Sequence, residues 1–173
     1  MGDSLTIIIA IFLAAVLMFV FPLSGIAERN DDASQMYIQT TLDEFVNKVA
    51  SKGTLTKDDY DKLEAQLLST NNSYDIELTI NVADVNPGKK TDNQQIGDTT
   101  YYSLYTAQII DILNENSVYY LKEGDYIKVS LKQINESISQ QIKSALFGAG
   151  SQTTKITAES GAISSATGRT ASY

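Results

Sequence analysis

The chain contains no cysteine, no histidine and no tryptophan. Without cysteine there is no disulfide framework, no thiol nucleophile and no thiolate zinc site. Without histidine, the Ser-His-Asp and Cys-His arrangements fall away, together with most transition-metal sites. Only carboxylates and lysines remain for catalysis. The sequence predicts a protein that is not an enzyme and assigns no catalytic, cofactor-binding or metal-ligating residue. Basic residues are also scarce: 13 Lys and Arg stand against 21 Asp and Glu, for a formal net charge of −8 and a pI near 4.4. No basic patch is present, which argues against nucleic acid as a partner.

The dominant positive feature is a long run without charge. From Leu5 to Ala27 the sequence reads LTIIIAIFLAAVLMFVFPLSGIA. At the α-helical rise it spans roughly 35 Å, enough to cross the hydrocarbon core of a bilayer. A cleaved secretory signal fits poorly, because MGDS carries an acid and no base ahead of a run that is too long. A membrane anchor fits better, and the acidic flank ERNDDAS favours export of the C-terminal part of the chain. A third reading makes the run a packing surface for other copies.

The predicted helix does not stop at Ala27. No Pro or Gly occurs from Glu28 to Ser51. Ile38, Leu42, Phe45 and Val49 recur at helical spacing, with Met36 and Val46 beside them, and Gly53 supplies a stop. One helix is therefore expected to carry a uniformly apolar first half and a one-sided second half. Pro22 removes a backbone donor inside the apolar half, and Ser24 and Gly25 loosen the same spot, so a bend or local melting is expected there.

Behind this helix the pattern predicts a small head. A helix is expected over 57–69, with Thr56 and Asp59 as a capping box and Tyr60, Leu63 and Leu67 as its stripe. Strict alternation from Tyr74 to Val82 predicts a strand. The polar stretch 83–99 reads as a surface loop, and 100–114 as a helix with Ile109 and Ile112 on its apolar side. Ile127, Val129 and Leu131 share a strand face. Ile134, Ile138, Ile142 and Leu146 form a helical stripe, and Thr154, Ile156 and Ala158 mark a last strand. The fold class is α+β: a long N-terminal helix packed on a head with about three strands and three further helices. The divisions are 1–27 (apolar half), 28–164 (head) and 165–173 (tail).

Acidic clusters invite a metal reading at KDDYD (57–61) and RNDD (29–32), and DVNPG (84–88) is faintly like a calcium loop. Acids in the first turn of a helix and an ordinary surface turn explain them more simply. Asp92, Asp98, Glu123 and Asp125 form no pair that the sequence can place. The ten tyrosines suit a core edge, or an aromatic surface along a filament.

An apolar helix running into a head with a small sheet resembles the type IV pilin and pseudopilin superfamily. The run EGDYIKVSL, KSALFG and TTKITAESG is similar to TadE-like proteins of bacterial tight-adherence (Tad/Flp) pilus systems. The resemblance is one of layout over nearly the whole chain. It departs from the pilin pattern in having no basic leader before Gly2 and no Glu before Glu28. It implies a structural subunit of an extracellular filament, held in the membrane before assembly and partnered by its own copies and by a pilus assembly machinery. Leu5, Ile8, Phe12, Val16 and Phe19 would then form the filament core, with Pro22 and Gly25 permitting the bend. Met36, Ile38, Leu42, Phe45 and Val49 would hold the head. The rival expectations are a minor, membrane-anchored subunit and a single-pass surface protein with a ligand-binding head.

Overall fold

The computed structural model describes residues 2–83, 101–147 and 155–168. Its first element, α1 (Gly2–Lys52), is a single helix through both halves of the predicted pattern. The chain stays helical through Pro22 and Gly25, so the expected local melting does not occur. Pro22 lacks one N–H donor, so the helix forgoes that hydrogen bond and continues through the rest of its ladder. At the other end Gly53 terminates α1 with φ +66°, and its N–H donates to Val49 O at 2.9 Å. Two constraints require glycine here. The left-handed backbone disfavours a side chain, and an added Cβ would lie 2.5 Å from Ala166 O.

The head comprises, in chain order, β1 (Thr54–Thr56), α2 (Lys57–Leu68), β2 (Tyr74–Ala83), β3 (Tyr101–Tyr105), α3 (Thr106–Asn116), β4 (Val118–Tyr120), β5 (Tyr126–Gln133), α4 (Ile138–Phe147) and β6 (Thr157–Ile163). β1 and β4 form a small antiparallel pair. The main sheet has the order β3-β2-β5-β6 and is antiparallel throughout. The class is the predicted one, a long helix on a small α+β head. β2, β5 and β6 are the strands that the alternation predicted, and β1, β3 and β4 are additional.

One face of the main sheet and one stripe of α1 make the core. Leu78, Ile80 and Val82 of β2, Ile127, Val129 and Leu131 of β5 and Ala158 of β6 are buried there. They pack with Ile38, Leu42, Phe45, Val46 and Val49 of α1. α2 adds Tyr60, Leu63 and Leu67, and Thr56 caps it: Asp59 N–H donates to Thr56 Oγ1 at 3.1 Å, while the Asp59 carboxylate accepts from the Thr56 hydroxyl at 2.7 Å rather than from its backbone N–H as a full capping box would have it. α1 also closes one edge of the sheet. Gln35 Nε2 donates to Thr157 O at 2.7 Å and Gln39 Nε2 to Glu159 O at 3.0 Å, so free carbonyls of β6 are already engaged.

Several expectations are corrected. Met36 does not hold the head: it is 72% exposed. It sits two residues from Ile38, about 200° around the helix, and so faces away from the sheet. The helix predicted over 100–114 is a strand followed by a helix. Tyr101, Ser103 and Tyr105 alternate on β3, and Thr106 then ties α3 to β2 by accepting from Leu78 N–H at 2.8 Å. Ile134 and Ile138 of the predicted stripe do not enter the core: they are 59% and 61% exposed. The tail expected from 165 is fixed as far as Gly168. Ser165 N–H donates to Ala50 O at 3.1 Å and Gly168 N–H to Leu121 O at 2.8 Å, the first satisfying a carbonyl that the helix terminus leaves open. Ala83, the first residue of the predicted surface loop, ends β2; the rest of that loop, with residues 84–88, Asp92 and Asp98, and Thr154 lie outside the described residues.

Candidate assembly helix and its collar

Three zones succeed one another along α1. In the first, no residue from Ser4 to Ile26 is buried. Leu5, Ile8, Phe12 and Phe19 are exposed along one side of the rod, Ile7, Ile11 and Met18 are exposed on other sides, and Val16 is half-buried. Pro22 and Gly25 are exposed, and nothing lies within 4 Å of where a Cβ on Gly25 would stand. The segment is long and apolar enough to cross a membrane, and it makes an apolar surface far larger than a soluble monomer leaves in water. An anchor and a signal sequence both meet that description.

The second zone is a polar collar. Glu28 Oε1 pairs with Lys143 Nζ of α4 at 2.9 Å. Asp31 Oδ2 accepts from Ser137 Oγ at 2.7 Å and also from Ser139 Oγ. Both serines are buried, so their hydroxyls depend on that carboxylate. Behind them, Gln133 Nε2 donates to Asn72 Oδ1 at 3.3 Å, Ile156 N–H donates to Gln133 Oε1 at 3.0 Å, and Ser137 N–H donates to Gln140 Oε1 at 3.1 Å. The collar is therefore a connected polar network, hydrogen-bonded within the head. Its signal in the sequence was the cluster of Ser, Gln and Asn at 133–141, which the isoleucine periodicity obscured.

The third zone is the apolar seam from Ile38 to Ala50 that packs on the sheet. Of the five residues expected to hold the head, Ile38, Leu42, Phe45 and Val49 come together there.

The acidic clusters resolve into structural roles. Lys57 pairs with Asp61 at 2.8 Å and Lys62 with Asp58 at 2.5 Å, both one turn apart on α2. Asp59 is buried and accepts from Lys48 Nζ at 2.5 Å. Burial pulls its carboxyl upward, but the hydrogen bonds from Lys48 and Thr56 outweigh that and hold it below the usual carboxylate range. Asp125 is buried and organises a turn by accepting from Lys122 N–H at 2.7 Å and Ala83 N–H at 3.1 Å. Among the described residues no group of three or more His, Cys, Asp or Glu could hold a metal ion.

The tyrosines divide between core edge and surface. Tyr60 is buried and Tyr119 packs against the core, where burial, with Asp125 and Tyr102 nearby, pushes its hydroxyl up to about 12. Tyr101, Tyr102 and Tyr105 are exposed. Tyr126 lies over Gly161, where an added Cβ would lie 2.7 Å from the tyrosine Cζ. With Lys128, Ser130 and Lys132 on β5 it shares the sheet face opposite the core.

The fold and its exposed rod thus define a compact head carried on an apolar helix. No protein-family model, no curated protein and no solved structure matches the chain.

Proposed function

We propose that the chain is a pilin-like structural subunit of an extracellular bacterial filament, with the layout of TadE-like proteins. The subunit is first inserted in the membrane by residues 5–27. An assembly machinery then withdraws that rod, which packs against the rods of neighbouring copies. The observation that carries this reading is that none of residues 4–26 is buried while the head completes its core with the second half of the same helix. An all-round apolar helix must be covered by lipid or by protein. Moving it from one apolar setting to the other changes its solvation far less than exposing it to water.

The test is microscopy of material sheared from the cell surface, with and without Ala15→Lys. The proposal expects filaments that need no detergent and contain this chain, and their loss in the variant, because a charge in the middle of the rod has no partner there. A chain recovered only in the detergent-extracted membrane fraction would support a membrane-anchored accessory subunit. Normal filaments from Ala15→Lys would defeat the reading.

A further inference from the structure

α4 is built the wrong way round for a helix serving the head. Among its described side chains the buried ones are Ser139 and Gln140, preceded by buried Ser137, while Ile138 and the preceding Ile134 are exposed. The helix packs on α1 at the collar, where Lys143 meets Glu28 and the two serines meet Asp31. Ile138 therefore borders a groove of about 430 Å3 whose other wall contains Leu23 and Ile26 of α1. Those two residues belong to the uncharged run and are 53% and 66% exposed.

We propose that the start of α4 is interfacial: Ile138, which shares a groove with Leu23 and Ile26, and the preceding Ile134 enter the edge of the bilayer and attach the head to lipid at a second point beside its rod. The inference rests on the membrane-inserted stage of the proposed function. Three observations carry it. The apolar patch is continuous with the membrane-crossing run. On α1 the charged residues Glu28, Arg29 and Asp32 follow immediately on the head side of Ile26, and the groove itself sets Asp31, Asn135, Glu136 and Gln141 beside its apolar residues, the mixed lining of a headgroup-level surface. The patch is also small. Two isoleucines beside two residues of the rod fall well short of the roughly 1,200 Å2 that a stable protein–protein interface buries, whereas entry into lipid requires no shape complementarity. Acids (Asp31, Glu136) and bases (Lys143, Lys155) both lie around it, so no single sign of charge steers the contact, which is apolar and does not require anionic lipid.

The absence of cysteine makes the test clean. The full chain is prepared with single substitutions Ile134→Cys, Ile138→Cys, Phe12→Cys or Ser51→Cys, labelled with nitrobenzoxadiazole and reconstituted in phosphatidylcholine vesicles. Quenchers are phosphatidylcholines carrying a nitroxide near the headgroup or deep in the acyl chain. Labels at 134 and 138 should show blue-shifted emission that the shallow quencher abolishes. The label at 12 should be lost to the deep quencher, and the label at 51, at the far end of the head, to neither. Emission at 134 and 138 like that at 51 overturns the proposal. Blue-shifted emission insensitive to both quenchers overturns it too, and identifies another protein surface as the cover. If the label at 12 also behaves like that at 51, the membrane-inserted stage itself fails. All the head positions are exposed, and unchanged far-UV circular dichroism of each variant establishes that the fold is retained.

Discussion

The two halves of α1 obey the same backbone geometry and serve opposite ends. The C-terminal half spends its apolar residues on one stripe, and Ile38, Leu42 and Val49 are fully enclosed by the head. The N-terminal half distributes them around the whole circumference, and the head covers none of them up to Ile26. The difference lies in the arrangement of the apolar residues, and arrangement decides the solvent. A stripe can be satisfied by one neighbouring surface. A full circumference needs a medium or several neighbours.

A matched pair of substitutions tests this contrast most severely. Leu42→Ala removes a fully buried side chain from the seam and should cost the head about 2–5 kcal/mol. Leu13→Ala, the same chemical change in the rod, should leave head stability unchanged within about 0.5 kcal/mol. Chemical denaturation of both variants in detergent micelles gives the comparison. A Leu13→Ala loss approaching that of Leu42→Ala would mean that the rod folds back onto the head.

The junction between the halves should respond less strongly. Asp31→Ala removes the acceptor shared by Ser137 and Ser139 and leaves two buried hydroxyls to find new partners. A cost of about 1–3 kcal/mol is expected. Because α4 rests on this contact, amide hydrogen exchange in 138–147 should accelerate while exchange in β2 and β5 stays slow. Uniform acceleration would show that the collar and the core open as one unit.

Sequence patterning disclosed the contrast well and the junction poorly. α1, α2, β2 and β5 emerge directly from apolar periodicity, because each buries one face against a single neighbour. Thr56 with Asp59, and Gly53, mark their helix ends by local chemistry that needs no tertiary context. α4 was misleading for a physical reason. Ile134 and Ile138 of its isoleucine period are exposed, and periodicity states that a face is apolar without stating what meets it. Met36 failed differently, through adjacency in sequence to a stripe that it does not share. β3 was lost because Tyr101–Tyr105 has little apolar alternation and runs without a break into α3. Its pairing with β2 is long-range and leaves no local mark.

The smallest effect concerns Asp59, which joins the seam to α2 through Lys48 and Thr56. Its carboxyl titrates lower in the folded head than the roughly 3.9 of an unfolded chain. A depressed carboxylate contributes stability that is complete above the unfolded value and is lost as pH falls through the folded one. Head stability should therefore decline on acidification below about pH 4, and Asp59→Asn should flatten that part of the profile. The asparagine also removes the partner of Lys48, so its stability at pH 7 should lie below the parent and converge with it in acid. Thr56→Ala separates the two contributions of this corner. It removes the cap, at a cost of about 1 kcal/mol, together with one of the two hydrogen bonds that depress the carboxyl, but leaves the Lys48–Asp59 ion pair, so its stability should be lower and its acid limb shallower than the parent's. If Asp59→Asn instead shifts the whole profile without altering its acid limb, the carboxylate acts here as a neutral cap, and the link between the seam and α2 is steric rather than ionic.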